Sequence, residues 1–299
     1  AGSRVHGRRL QADLTLLFVS IIWGSAFVVQ RIAAVQIGVF WFTGLRFLLG
    51  ALVLLPFAWR ECYALITGGR REIVGVAAAG FFLWAGAAFQ QAGLMYTTAG
   101  NAGFITGLYV VLIPIFLALR GTQRSRPMIW VASLLAAAGL FLLSTGGQMR
   151  LNHGDGLELI GTVFWALHVI LVGWLVQRLP VLALATGQYL VCAAFGLGAG
   201  LSFEMNTLPA LAQAGWAIAY TGLLSVGLGY TLQAKGQRLA PPADAAIILS
   251  SEAVFAALFG WIFLAEKLTV VQLTGCGVML AGMLLAQSNI ILDGRKERR

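Results

Sequence analysis

Residues 130–143 read WVASLLAAAGLFLL, and this run decides the class of fold. It carries no charge, and it does not alternate polar and apolar positions as a strand of a membrane barrel would. A helix needs about 20 mostly apolar residues to cross the hydrocarbon core of a bilayer, and the run lies inside such a stretch. It therefore predicts a membrane-spanning helix.

The composition extends this prediction to the whole chain. Of the 299 residues, 59% are hydrophobic and 10% are charged, whereas soluble domains carry about 25% charged residues. So few charges could not cover the surface of a soluble protein. The net charge of +9 does not indicate nucleic-acid binding, because the basic residues form short clusters between apolar runs. We expect membrane lipid around the chain and no nucleic-acid partner.

Ten stretches have the length and composition of membrane spans. They cover roughly residues 12–32, 38–59, 73–95, 99–119, 127–145, 156–178, 181–203, 212–234, 242–264 and 270–291. The first stretch is interpreted as a span rather than a signal peptide, because it has full span length and no convincing small-residue cleavage site. The remaining residues are too few for a soluble catalytic domain.

The Lys and Arg residues predict an orientation. Placing both termini and the 2–3, 4–5, 6–7 and 8–9 loops on one side puts sixteen of the twenty basic residues there. The other side holds Arg31, Arg150 and Lys267, and Arg46 lies inside span 2. Because basic loops stay on the cytoplasmic side, we expect a multi-pass protein of the bacterial inner membrane with both termini in the cytoplasm.

The two halves of the chain are similar to each other. A shift of 143 residues aligns them without gaps from about residue 82 onward, and it pairs Gly86 with Gly229. A shift of 142 pairs Trp23 with Trp165. We interpret this register as an internal duplication.

The duplication predicts two repeats, residues 1–148 and 149–299. Each repeat has five spans, an odd number, so the second must cross the membrane in the opposite sense to the first. The predicted fold is an all-α membrane protein with ten transmembrane helices, arranged as two inverted five-helix repeats around a central cavity. Inverted repeats are a transporter architecture.

Four stretches carry a resemblance to a known family. They are Ile22–Phe27 (IWGSAF), Gly44–Phe47 (GLRF), Tyr96–Ala102 (YTTAGNA) and the longer stretch from Pro241 to Leu268. In their order and spacing they resemble the EamA-type ten-span members of the drug/metabolite transporter superfamily, over essentially the whole chain. Within it the chain is most similar to bacterial amino-acid exporters of the YddG type. Ala253 departs from the pattern, since members often have proline after the glutamate.

The resemblance implies a secondary transporter that exports small amphipathic metabolites by alternating access. Amino acids, aromatic ones included, are the favoured substrates. Spans 1, 3, 4, 6, 8 and 9 would line the cavity, and the protein would be a monomer, with a homodimer left open. The related sugar-nucleotide carriers place several cations in the cavity for phosphate. Here Arg46 is the single basic residue deep in a span, and we expect it to pair with an acid or to snorkel.

Polar and aromatic residues inside the spans are the candidate site residues, because such polar groups usually face protein or water. Aromatic walls suit an amphipathic solute through stacking and cation–π contacts. The predicted substrate-binding residues are Trp23, Phe27, Trp84, Gln90, Asn101, Tyr109, Trp165, His168, Tyr230, Gln233, Ser250, Ser251 and Glu252.

Two of these residues have competing interpretations. Glu252 could bind a substrate ammonium or carry a proton, or it could cap backbone groups freed by nearby kinks. His168 could be a proton site or an interhelical hydrogen bond, and the bond is favoured. The 143 register also pairs Tyr109 with Glu252 and Asn101 with Asp244, so each pair is expected to lie close together at the midplane.

Two other functions stay open. A proton-coupled exporter of drugs or quaternary cations would also use aromatic walls and one acid. A lipid-modifying enzyme would need Glu252 and His168 within reach of each other or of one substrate atom. The chain has no GxSxG, HExxH or phosphate-cradling motif, and its three cysteines lie far apart. We therefore expect no enzyme, no cofactor and no metal.

Overall fold

The computed structural model describes residues 2–121, 127–145, 152–205, 208–267 and 269–296. The regular secondary structure of these residues is all helical. The α-helices are α1 (Gly2–Ala33), α2 (Val39–Gly68), α3 (Arg70–Gly93), α4 (Ala99–Gly107), α5 (Tyr109–Leu119), α6 (Pro127–Thr145), α7 (His153–Leu175), α8 (Val181–Phe203), α9 (Leu208–Tyr220), α10 (Thr231–Gln237), α11 (Pro242–Leu249), α12 (Glu252–Leu264) and α13 (Val270–Lys296). A π-helical segment, Thr221–Tyr230, joins α9 to α10. The predicted all-α class is confirmed.

Among these described residues, eight stretches are long and apolar enough to cross a membrane. They are Arg9–Ala33, Val39–Ile66, Arg70–Gly93, Ala99–Leu119, His153–Leu175, Val181–Phe203, Pro209–Gln237 and Pro242–Leu264. Two shorter apolar helices, Trp130–Gly139 and Val270–Gly282, fall within predicted spans 5 and 10. Length and composition are thus those of a multi-pass membrane protein.

Two of the long stretches are interrupted near their middle. One break separates α4 from α5 at Leu108, and the other separates α11 from α12 at Ser250 and Ser251. The helices resume at Tyr109 and Glu252, which are 143 residues apart. Pro114 lies inside α5, six residues after Leu108. A proline removes the hydrogen bond to the carbonyl four residues before it, here that of Val110, which already lies beyond the break.

Glycines bring two helix pairs together at backbone distance. Where α2 packs along α8, a Cβ on Gly196 would lie 2.7 Å from the Gly44 Cα. Where α6 packs along α13, a Cβ on Gly139 would lie 2.6 Å from the Gly275 carbonyl oxygen. Larger side chains would not fit at these positions, so the glycines allow close packing of both helix pairs.

Carboxylates from the second half of the chain cap helices of the first half. Glu204, after α8, accepts from the Phe40 and Trp41 N–H groups of α2 at 2.9 and 3.0 Å. Glu266, after α12, accepts from the Ala99 and Gly100 N–H groups of α4 at 2.9 and 3.1 Å. Negative charge stabilises a helix N-terminus. Together with the packing of α1 on α12 and of α3 on α7, these caps hold the two halves around a shared centre.

Candidate functional site

A small cavity lies between the two halves. Its walls come from predicted spans 1, 3, 4, 6, 8 and 9. The lining residues are Trp23, Ala26, Phe27, Gln30, Gln90, Thr106, Tyr109, Trp165, His168, Val169, Ser225, Tyr230, Gln233 and Glu252. Its volume of about 30 Å³ holds about two water molecules. A solute of amino-acid size would therefore have to widen it.

Tyr230 is at the centre of an aromatic wall. The centroid of its ring lies 4.7 Å from that of Trp23 and 5.9 Å from that of Trp165, to which it is nearly parallel at 13°. The Trp23 Nε1–H donates to the Ser225 carbonyl at 3.2 Å. The faces of these rings can stack on an apolar or aromatic group and attract a cation.

Each of the two tryptophans packs against a glycine of the other half of the chain. A Cβ on Gly86 would lie 3.0 Å from the Trp165 ring, and one on Gly229 would lie 2.6 Å from Trp23 Nε1. The absence of a side chain at these two glycines gives the indole rings their room. The register of the two halves had paired these glycines with each other, and the tryptophans likewise.

Glu252 is the acidic residue among those that line the cavity. It is the first residue of α12 and is 3% exposed. Its Oε1 accepts a hydrogen bond of 2.9 Å from the hydroxyl of Tyr109, which is the first residue of α5. The predicted proximity of these two residues is confirmed, and the bond joins the two helix breaks.

Asn101 and Asp244, by contrast, lie at opposite ends of the molecule. Asn101 is beside the end of α12, because the neighbouring Gly100 N–H donates to Glu266. Asp244 is in the first turn of α11 and bonds Arg9 of α1 at 3.2 Å. The interrupted helices α4–α5 and α11–α12 meet at their middle and start at opposite ends of the molecule. The expected contact between Asn101 and Asp244 is therefore wrong.

His168 contacts both the cavity and a neighbouring helix. It is fully buried, and its Nε2 lies 2.9 Å from Gln188 Oε1 of α8. The favoured interhelical bond is therefore confirmed. Its Nδ1 has no partner among the described residues, and Glu252 bonds Tyr109 instead. His168 and Glu252 therefore do not form the direct hydrogen bond that would have supported the enzyme hypothesis.

Gln233, one of the glutamines that line the cavity, is bonded to a neighbouring helix through Gln237. Gln233 Nε2 donates to Gln237 Oε1 at 3.1 Å, and Gln237 Nε2 donates to the Val169 carbonyl at 2.9 Å. These two hydrogen bonds connect α10 to α7. Gln233 Oε1 has no partner among the residues that the structure describes, so it can accept from a solute. Gln90 of α3 also lines the cavity.

Trp84 and Asn101 do not line the cavity. Trp84 stacks on Phe195 of α8, with ring centroids 5.3 Å apart. It precedes Gln90 by six residues, or about 240° of helix rotation, so the two cannot share a face. Asn101 lies in the first turn of α4, where its N–H donates to the N-cap residue Thr98.

Ser250 and Ser251 also lie outside the lining. Their hydroxyls donate to the carbonyls of Ile247 and Ile248, at 2.8 and 2.6 Å. Both hydroxyls thus satisfy backbone acceptors next to the helix break, where regular helical bonding is interrupted. Nine of the thirteen predicted residues therefore face the cavity, and these four do not.

Five residues that line the cavity were not among the predicted substrate-binding residues, and Ser225 shows why. Ser225 and Tyr230 are five residues apart, which in an α-helix would place them on different faces. The π-helical backbone between them bonds i to i+5 and puts them on the same side. The sequence periodicity did not predict this change from α-helical to π-helical backbone. Gln30 had a signal, since it continues the stripe of Trp23 and Phe27 on α1. The remaining three are Ala26, Thr106 and Val169.

Glu158 is a second buried carboxylate close to the cavity. It is fully buried, and its Oε2 accepts from the Thr106 hydroxyl at 3.3 Å, while Thr106 lines the cavity. Its Oε1 has no partner within the described part of the chain. The helical stripe shared with Thr162 and Trp165 was a signal for it in the sequence.

Polar contacts join the two halves of the chain on both sides of the cavity. Towards the start of α1, Arg9 bonds Asp13 at 3.0 Å and Asp244 at 3.2 Å. On the other side, the Thr97 hydroxyl donates to Asp155 at 2.7 Å, and Asp155 forms a capping box with Asn152 at the start of α7. Elsewhere in the described chain, no three His, Cys, Asp or Glu side chains come together to hold a metal.

Fold and cavity together are those of a membrane transporter, and comparison with known proteins gives the family. The profile of the EamA-like transporter family matches residues 10–145 and again 153–287. The chain belongs to the EamA-like transporter family.

Named relatives cover nearly the whole chain. An uncharacterized transporter of Archaeoglobus fulgidus is 35% identical over 95% of this chain and 88% of its own. The uncharacterized inner membrane transporter YedA of Escherichia coli K12 is 26% identical over 90% and 88%. One solved crystal structure, 19% identical, superposes with a TM-score of 0.73 over 97% of this chain and 99% of that one, which shows the same fold.

Proposed function

We propose that this protein is a secondary transporter that exports small amphipathic metabolites, with amino acids as the favoured class, across the bacterial inner membrane. The observation that carries the proposal is the central cavity, in which a wall of three aromatic rings stands with a buried carboxylate. The rings suit an apolar or aromatic side chain, and Glu252 suits an ammonium group. An exporter of the YddG type is the nearest description.

The proposed architecture is ten spans in two inverted repeats, residues 1–148 and 149–299. Three observations support it: the two matches of the family profile, the helix breaks 143 residues apart, and the reciprocal tryptophan–glycine contacts. Both termini would be cytoplasmic, as the Lys and Arg distribution favours. The relative named as an inner membrane transporter supports the location.

Alternating access follows from this architecture. The contacts at Arg9 and at Thr97 close opposite sides of the cavity, so each would open in turn. Cysteines at Thr97 and Asp155, in a background without native cysteines, can be crosslinked between the α3–α4 connection and α7. Crosslinking should stop uptake and reduction should restore it, whereas unaffected uptake would contradict this mechanism.

Uptake into liposomes that contain the purified protein tests the function. The panel comprises aromatic, aliphatic, basic and acidic amino acids and a lipophilic cation, each with and without a pH gradient. We expect amino-acid flux. Trp165→Ala should reduce the flux of aromatic amino acids, while Trp84→Ala, a tryptophan outside the cavity, serves as the matched control.

An exporter of quaternary cations is the second candidate, because three aromatic rings and one carboxylate also suit a cation. Cation flux that requires an opposed proton gradient, without amino-acid flux, would replace the first proposal by this one. Glu252→Gln should then abolish cation export and spare neutral solutes.

A further inference from the structure

Arg46 of α2 is a buried cation that forms no ion pair with the residues that the structure describes. Its side chain is 1% exposed, which rules out the predicted snorkelling. Nη1 donates to Gln30 Oε1 at 2.8 Å, while Nε and Nη2 have no partner among the described residues. The ion pairs in that part of the chain involve Arg9 instead, so the predicted acidic partner is wrong as well.

Such an arrangement is costly for a purely structural residue. Guanidinium stays charged in proteins, and a buried charge is destabilising unless it is paired. The rings of Phe42 and Phe47 lie 5.3 and 5.1 Å from Cζ and stabilise the cation only in part. The two nitrogens without partners are hydrogen-bond donors that an anion could satisfy.

Arg46 lies directly behind the cavity wall. Gln30, its one hydrogen-bond partner, lines the cavity, and so does Tyr230, whose ring lies 5.8 Å from that of Phe47. The amide oxygen of Gln30 occupies the position on Nη1 that a carboxylate oxygen would take. A rotation of this amide, together with the widening that any solute requires, would bring the guanidinium into contact with the solute.

We propose that Arg46 binds the carboxylate of the transported solute, with Gln30 as the group that the carboxylate displaces. Guanidinium and carboxylate form paired, charge-assisted hydrogen bonds. Such a pair at Nη1 and Nη2 would take the position that Gln30 gives up together with one of the two nitrogens that now have no partner. Glu252 would take the ammonium group at its own part of the same cavity. This inference rests on the proposed function and narrows it to solutes that carry a carboxylate, zwitterionic amino acids among them.

Three probes of similar shape test the proposal: phenylalanine, 3-phenylpropionate and phenylethylamine. Equilibrium binding of each is measured with purified wild-type protein and with Arg46→Gln. Loss of one charge-assisted contact should weaken the binding of both carboxylates by roughly 10- to 100-fold. Phenylethylamine has no carboxylate, so its binding should change by less than about threefold. Equal losses for all three probes would mean a structural arginine and overturn the proposal.

Three further variants keep the test sound if Arg46→Gln folds poorly. Arg46→Lys retains the charge and should retain part of the preference for carboxylates. Gln30→Ala removes the group that the carboxylate displaces, so it should strengthen the binding of the two carboxylates relative to phenylethylamine, whereas loss of a merely structural bond would change the binding of all three probes alike. Arg60→Gln is the control, because Arg60 lies on the same helix over the Trp59 ring, at 5.4 Å, but is exposed.

The outcomes separate this inference from the function on which it rests. Wild-type protein that moves amino acids in liposomes, with the same carboxylate preference in Arg46→Gln, overturns the inference alone. Wild-type protein that binds phenylethylamine but neither carboxylate overturns both the inference and amino-acid export, and favours the cation exporter. Selective loss of both carboxylates supports the inference.

Discussion

The interrupted helix α4–α5 and the interrupted helix α11–α12 have similar backbones and different chemistry. The break is one residue long in the first helix and two residues long in the second, and the helices resume at positions 143 residues apart. The first residue after the break is a neutral phenol, Tyr109, in one and a carboxylic acid, Glu252, in the other. The similar breaks build the cavity, and the side chains that differ between them decide what it can bind. Variants that change a residue of one interrupted helix at a time test whether the side chains, rather than the shared backbone, decide what binds.

The largest effect is expected at this pair. Glu252→Gln removes the charge that would bind a substrate ammonium, and uptake of amino acids should fall by about 100-fold, as for a lost hydrogen bond to a charged group. Tyr109→Phe removes one hydroxyl but leaves the carboxylate, and uptake should fall by less than about tenfold. Initial rates in liposomes measure both.

A control separates charge at the site from charge in general. Glu72→Gln removes one negative charge in the first turn of α3, away from the cavity lining, and should leave uptake within about twofold. Equal losses in Glu252→Gln and Tyr109→Phe would mean that the bond between them, rather than the charge, matters, and the chemical difference between the halves would then be irrelevant.

The tryptophan–glycine contacts provide a second, smaller difference between the halves. A methyl group on Gly229 would lie 2.6 Å from Trp23 Nε1, closer than the 3.0 Å of Gly86 to Trp165. Gly229→Ala should displace the indole and weaken solute binding by about tenfold, within the usual cost of overpacking. Gly86→Ala should cost about threefold or less. Binding of phenylalanine measures both, and a larger loss in Gly86→Ala would reverse the ranking.

Much of this arrangement was predictable from the sequence, because lipid imposes strong rules. The helical class, the eight long apolar stretches of the described residues and the pairing of Tyr109 with Glu252 follow from apolar length and from the internal register. The exact face of a helix was harder to predict. Ser225 enters the cavity because its segment is π-helical, and Trp84 leaves it because of rotation along α3. Arg46 was expected to pair with an acid or to snorkel, and both expectations are wrong, because its burial and its unpaired nitrogens are properties of the three-dimensional packing.

The closing contacts on the two sides should differ in strength. Asp155 is buried, accepts from Thr97 and completes a capping box, so Asp155→Ala should lower the free energy of unfolding by about 1–2 kcal/mol. Asp244 pairs with a half-buried Arg9, and Asp244→Ala should cost about 0.2–1 kcal/mol. Equilibrium unfolding in mixed micelles compares the two. A larger loss in Asp244→Ala would make the α1 side the firmer closure.

The smallest effect is expected at the serines of the second break. The matching positions of the first break are Gly107 and Leu108, which carry no hydroxyl, yet the helix is interrupted there too. The hydroxyls therefore accompany the break without causing it. Ser251→Ala should lower the free energy of unfolding by about 0.6 kcal/mol, the typical value for a polar contact between membrane helices, and leave uptake within about twofold. Ser133→Ala is the matched control, since this hydroxyl also donates to a buried carbonyl, that of Val110, at 3.1 Å. A collapse of uptake in Ser251→Ala alone would mean that the Ser251 hydroxyl turns to the solute when the cavity widens. Ser251 would then be a substrate-binding residue, as the sequence predicted.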